Sequence, residues 1–309
     1  VNNKTLLKGN MAPYGGGLYI EGYHGGANQV EGASNIQVDL NEFLELQDNI
    51  SMPASATDIG NGGGIEFYFS NAMDLNKGSK ITINLDGAII NGNVATGNGG
   101  GIHIENATDP LMEYEILINL NYGELTNNSA ANGGGVYISK GDVTSNNIGG
   151  KVLLVDNNVV TDNGAGICII DGGMYMANGT ISNNKITEDG NGAGIYVLHG
   201  DFTMEDGAIS YNTTSKNGGG VYVDGGNFTM NDGTISQNII TLDGGGAYVV
   251  GGGSFEMNGG SIMSNTTNGG NGGGVYLSGG DFIINSGGVS DNEAYKNGGA
   301  LYIVGGGSL

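Results

Sequence analysis

Residues Asn217–Asn238, NGGGVYVDGGNFTMNDGTISQN, constrain the fold more than any other stretch, because the same string returns along the chain. Glycines lead into an apolar–Tyr–apolar triplet, Val221-Tyr222-Val223; a turn follows, then Phe228-Thr229-Met230, another turn, Ile235-Ser236 and a closing Asn238. Three short alternating runs between Gly/Asn/Asp turns read as three short strands, and a period of this size marks a solenoid. The first apolar residue after each glycine cluster is Leu18, Ile65, Ile102, Val136, Ile167, Ile195, Val221, Ala247, Val275 and Leu301, at intervals of 47, 37, 34, 31, 28, 26, 26, 28 and 26. In the regular coils the parts keep phase, with steps of 7 from Val221 to Phe228 and from Phe228 to Ile235.

Strand alternation turns this spacing into a core. Val221, Val223, Phe228, Met230 and Ile235 point inward, whereas Tyr222 and Thr229 point outward. An Asn stands at the corner after the third strand in nearly every coil: Asn93, Asn128, Asn157, Asn184, Asn212, Asn238, Asn265 and Asn292. Stacked amides there can hydrogen-bond from coil to coil. The expected fold is all-β: a right-handed, single-stranded parallel β-helix of about ten coils with three short strands each, the hand following from the preference of parallel crossovers. Nine strand spacings give a length of about 43 Å.

Residues 1–309 read as one elongated domain. Residues 1–135 form enlarged coils with insertions at Glu21–Asn35, Phe69–Lys80 and Ile104–Glu115 and a further loop over Leu44–Gly60; residues 136–309 form tight coils of 26–31 residues. Insertions on one side of a solenoid form a binding face or cover an end. The first ten residues fit a third strand and Leu309 fits the start of a second strand, so both ends resemble cuts through coils and the chain is expected to be a piece of a longer repeat protein. Further coils of the same polypeptide, or neighbours joined head to tail, would cover those ends.

Glycine reaches 64 residues without a Gly-X-Y period, which excludes collagen. Nine lysines, no arginine and thirty-one acids give a net charge of −22. That balance argues against nucleic acid and anionic membrane surfaces as partners. It admits divalent cations, Ca2+ in particular, but no cofactor motif is present. No apolar run long enough to cross a membrane as a helix occurs. Cys168, the single cysteine, stands where other coils carry the triplet Tyr, and alternation makes it an outward, tolerated surface thiol.

Gly298-Gly299-Ala300-Leu301 resembles the GGA[ILV] motif of polymorphic outer-membrane proteins and related surface adhesins. Phe228-Thr229-Met230-Asn231, Phe255-Glu256-Met257-Asn258 and Phe282-Ile283-Ile284-Asn285 look like that family's FxxN partner motif, and the GGGVY…FTMN…GTIS repeats are similar to large glycine-rich surface proteins. The resemblance covers residues 190–309 well and the first coils only through their glycine clusters; Glu205 departs from it where the Asn of FxxN would stand. It implies extracellular, cell-surface display and carries no catalytic residues.

Two outward features carry the expected chemistry. Tyr196, Tyr222, Tyr248, Tyr276 and Tyr302, with Tyr19 and Tyr137, form an aromatic column suited to a glycan or a partner protein, or simply to stacking on itself. The column breaks at Glu66, His103 and Cys168, and two positions further on stand Glu21, Tyr68 and Glu105. Glu21, Glu66, His103 and Glu105 therefore gather beside the insertions, either as a solvated polar face or as a site for proton transfer or an ion. The expected function is a non-catalytic adhesin or stalk segment of the cell surface. The alternatives are the protomer of an extracellular filament and a polysaccharide-active lyase or hydrolase. The absence of arginine weighs against uronate cleavage, although paired carboxylates alone can hydrolyse glycosides.

Overall fold

A computed structural model of the chain describes residues 5–22, 35–41, 44–53, 59–69, 80–106 and 115–309. The middles of the three insertions lie outside the described residues. Every strand pair named below is parallel, and the described residues contain no helix. The chain is a parallel β-helix.

Its first sheet has ten strands, one for each start read from the sequence, from Leu18–Gly22 to Leu301–Val304. Register is kept from coil to coil: Val221 lies beside Ala247, Tyr222 beside Tyr248 and Val223 beside Val249. The expected second and third strands form a single sheet of seventeen strands. They merge because Lys80–Asn91 and Glu115–Thr126 are unbroken twelve-residue strands that run through both positions. A third sheet of ten two-residue strands follows the Asn corner, Ile239–Ile240 among them. Sequence spacing places these dipeptides in a connection; they are strands because Ile240 turns inward and is buried, as Ile186 and Val160 are in their own coils.

The core follows the expected alternation. Val221, Val223, Phe228, Met230 and Ile235 are fully buried. Tyr222 and Thr229 are half-buried rather than exposed. Phe202, Phe228, Phe255 and Phe282 form an inner aromatic column with centroids 4.8 to 5.4 Å apart.

The corner is an amide ladder running from the exposed Asn10 through the buried Asn49, Asn93, Asn128, Asn158, Asn184, Asn212, Asn238 and Asn265 to the half-buried Asn292. Asn238 shows its valence. Its Oδ1 accepts from the backbone N–H and Nδ2 of Asn212 at 2.9 and 3.0 Å, and its Nδ2 donates to Asn265 Oδ1 at 2.9 Å and to the Ile209 carbonyl at 3.1 Å. Each interior amide, from Asn49 to Asn265, is thus fully satisfied out of contact with water.

Two corrections arise here. The ladder member of its coil is Asn158, not Asn157: Val155 pairs with Ile181, and the ladder Asn comes three residues after that inward position. Asn157 is the exposed residue before it, with φ of 55°. The stretch Leu44–Gly60 is not simply a loop. Leu44–Gln47 is a third strand with Leu46 in the core, Asn49 is in the ladder and Ile50–Ser51 belongs to the two-residue sheet; residues 54–58 lie outside the described ones.

Candidate functional site

The central position of each first-strand triplet makes one continuous outward column: Tyr19, Glu66, His103, Tyr137, Cys168, Tyr196, Tyr222, Tyr248, Tyr276 and Tyr302, each beside the next in register. Its last five members stack ring on ring. Centroids are 5.2, 5.1, 4.7 and 5.2 Å apart, and the first three pairs are within 8° of parallel. The ring faces point at one another, so the hydroxyl edges are what the stack offers outward.

A glycine turn covers this column. Gly218 has φ of 67°, and a Cβ added to it would lie 2.9 Å from the Cβ of Tyr222; Gly62 stands in the same relation to Glu66, at 2.6 Å. Only glycine can hold the left-handed conformation and come so close. A side chain shorter than Tyr is sealed beneath this turn and the neighbouring coils. Cys168, expected as a surface thiol, is fully buried for this reason, between Tyr137 and Tyr196 and below Gly164. Burial pushes its pKa far up, leaving an unreactive thiol.

Glu66 and His103 lie under the same kind of turn and are 2% and 1% exposed, Glu66 at the floor of an open cleft. The solvated-face reading of this pair is therefore corrected. Glu66 Oε1 lies 3.2 Å from His103 Nδ1, within ion-pair range. The alignment is too poor for a hydrogen bond, however, and both His103 Nδ1 and Glu66 Oε2 are buried without a hydrogen-bond partner among the described residues. The His103 ring stacks on Tyr137 at 5.3 Å and 13°. Unpaired buried carboxylate oxygens are costly and uncommon.

Two residues along the same strands, Glu21, Tyr68 and Glu105 are neighbours in register. Tyr19–Glu66–His103 and Glu21–Tyr68–Glu105 thus form a two-by-three grid in which carboxylates and rings alternate. Glu21 is exposed and Glu105 half-buried. Among the described residues, no three or more His, Cys, Asp or Glu side chains converge as a metal site. The grid instead borders an open cleft of about 360 Å³ lined by Tyr14, Tyr19, Ile59, Asn61, Glu66, Tyr68 and Glu105. Tyr14 and Tyr19 face each other at 6.3 Å and 44°. Burial, then the charges of Glu21 and Glu66, push the Tyr19 phenol up to about 12.

Tyr14, Ile59 and Asn61 are cleft residues that the sequence reading missed. A signal was present for two of them. Asn61, Asn98, Asn132, Asn163, Asn191, Asn217, Asp243, Asn271 and Asn297 each precede a glycine cluster. They form a second ladder, in which each side-chain oxygen bonds the next coil. Tyr14 takes the ladder position in the first coil and bridges to Asn61. The FxxN asparagines form a third, shorter ladder: Asn285 donates to Asn258 and Asn258 to Asn231. Glu205, the departure from that motif, accepts from Asn231 Nδ2 at 2.7 Å and serves as its end.

Residues 148–309 match the family model described as a right-handed β-helix region. No curated protein and no solved structure matches the chain.

Proposed function

The chain belongs to the right-handed β-helix family, and from that premise we propose that it is a non-catalytic segment of an extracellular surface protein, a rigid stalk that carries recognition features on its first-strand face. The carrying observation is the continuity of its side-chain columns. The Asn ladder passes through every coil from Asn10 to Asn292, and the outward tyrosines from Tyr196 to Tyr302 spend their ring faces on one another. Columns of this kind stiffen a solenoid whose repeats contact only their neighbours. A partner meets tyrosine hydroxyls along the tight coils, and in the enlarged coils an open cleft flanked by carboxylates.

The test has three parts. An antibody raised to the chain should label intact, unpermeabilised cells; absence from both the surface and the medium would sink the reading. The purified chain should release no product from uronate polymers, with or without calcium, and turnover lost on Glu66→Gln would favour the polysaccharide-active alternative. A glycan array separates adhesin from bare stalk, since binding lost in the Tyr222→Ala, Tyr248→Ala double variant assigns recognition to the stack.

A further inference from the structure

The cleft beside Tyr14 holds an unmet demand. Glu66 Oε2 is buried and has no hydrogen-bond partner among the described residues, yet Glu66 lines the open space. Tyr14, Tyr19 and Tyr68 supply aromatic walls, Glu105 a second carboxylate and Asn61 a side-chain amide, and among the described residues no Lys or Arg lines the space. The surroundings are therefore anionic and aromatic together, in a chain of net charge −22. An anion is repelled there. A neutral hydroxyl could bond Oε2 but would leave the Glu105 carboxylate without a counter-charge, since His103 lies beside Glu66 Oε1 and does not line the space. A divalent ion needs several converging oxygens, and among the described residues no three acids or imidazoles converge. A quaternary ammonium fits aromatic walls but has no N–H to give Oε2.

We propose that this cleft binds a primary ammonium group, which donates N–H bonds to Glu66 Oε2 and rests its charge against Glu105 and the rings of Tyr14, Tyr19 and Tyr68. Charge-assisted hydrogen bonds of this type are about twice as strong as neutral ones, and the aromatic faces add cation–π attraction. A lysine side chain of a partner protein and an amino sugar of a glycan both present this chemistry. Binding at the cleft does not depend on where the chain resides, so its failure and that of the surface-stalk reading are observed separately.

The experiment is titration of the whole purified chain, followed by calorimetry and by tyrosine NMR signals, with Nα-acetyl-lysine methylamide, glucosamine, tetramethylammonium and N-acetylglucosamine. At least one of the two primary amines should bind saturably, and the tighter one names the source. Tetramethylammonium and N-acetylglucosamine should bind about tenfold more weakly or not at all, and Glu66→Gln should weaken the amine about tenfold. Glu105→Gln, at the half-exposed rim, should cause a smaller loss and decides the matter if the Glu66 variant does not fold. Failure of both amines to bind a chain with normal melting, equal binding of tetramethylammonium, or no effect of either substitution overturns the proposal.

Discussion

The tight and the enlarged coils place different chemistry on one backbone register. At the outward position of the first strand, the tight coils from Ile195 onward carry tyrosines that stack on one another. The enlarged coils carry Tyr19, Glu66 and His103 in the same column, with a buried carboxylate–imidazole contact that leaves two polar atoms without a hydrogen bond among the described residues. Inside, the two regions are alike: both bury the Asn ladder and both fill the core with Ile, Val, Leu or Phe. The inner columns therefore hold the coils together whatever the outer column carries. The outer position is free to be self-satisfied in one region and to keep unbonded polar atoms in the other.

The largest expected effect tests that shared interior. Asn238→Ala in the tight coils removes four side-chain hydrogen bonds and leaves the buried amide of Asn212, the Ile209 carbonyl and Asn265 Oδ1 short of partners. Asn93→Ala in the enlarged coils removes the equivalent bonds to Asn49, Leu46 and Asn128. At 1–3 kcal/mol for each unsatisfied group, either change should cost about 3 kcal/mol or more, read as a lowered denaturation midpoint. A large loss for one and none for the other would break the equivalence of the two regions.

The second substitution converts one region's outer column into the other's. Glu66→Tyr with His103→Tyr would join Tyr19 to Tyr137 through a continuous stack. Replacing a buried, incompletely bonded polar pair by packed side chains is often neutral or stabilising, and each added aromatic pair contributes about 1 kcal/mol. The expected result is a rise of about 1 kcal/mol in stability together with loss of amine binding at the cleft. A destabilised double variant would mean that the pair serves packing rather than a ligand.

The periodic part of this architecture was legible in the sequence. The ten first-strand starts, the inward set around Phe228 and the outward Tyr column follow from alternation, which a strand enforces locally. What alternation does not contain is the turn above a strand. Outward at Cys168 was read as solvent-facing, and burial came from Gly164 folding back and from tyrosines one coil away on either side. The same cover hid Glu66 and His103. The slip from Asn158 to Asn157 arose where two asparagines adjoin and only the pairing of Val155 with Ile181 separates them. The cleft was half legible: Glu66 and Glu105 stood out as departures from the Tyr pattern, whereas Tyr14 is recognisable only once the Asn-before-glycine ladder is known.

The smallest expected effect separates the two regions by what perturbs their phenols. Tyr222 and Tyr248 are each pushed up to about 12. Burial is the first cause; Asp224 and Tyr196 follow for Tyr222, and Tyr276 and Tyr222 for Tyr248. Tyr19 reaches about 12 as well, but after burial its causes are Glu21 and Glu66. A phenol whose folded value lies above its unfolded value of 10.0 favours the folded state while neutral. Its contribution is therefore complete below pH 10 and is lost as pH rises from about 10 to about 12. Titration of tyrosine-labelled chain by NMR should show all three ionising near the top of that window while the chain stays folded, and the denatured chain near its bottom. Glu66→Gln should then move Tyr19 down toward its ordinary value and leave Tyr222 and Tyr248 where they were. If all three move together, the outer column is one electrostatic unit and the contrast between its two ends fails; if none moves, the carboxylate of Glu66 does not reach the Tyr19 phenol.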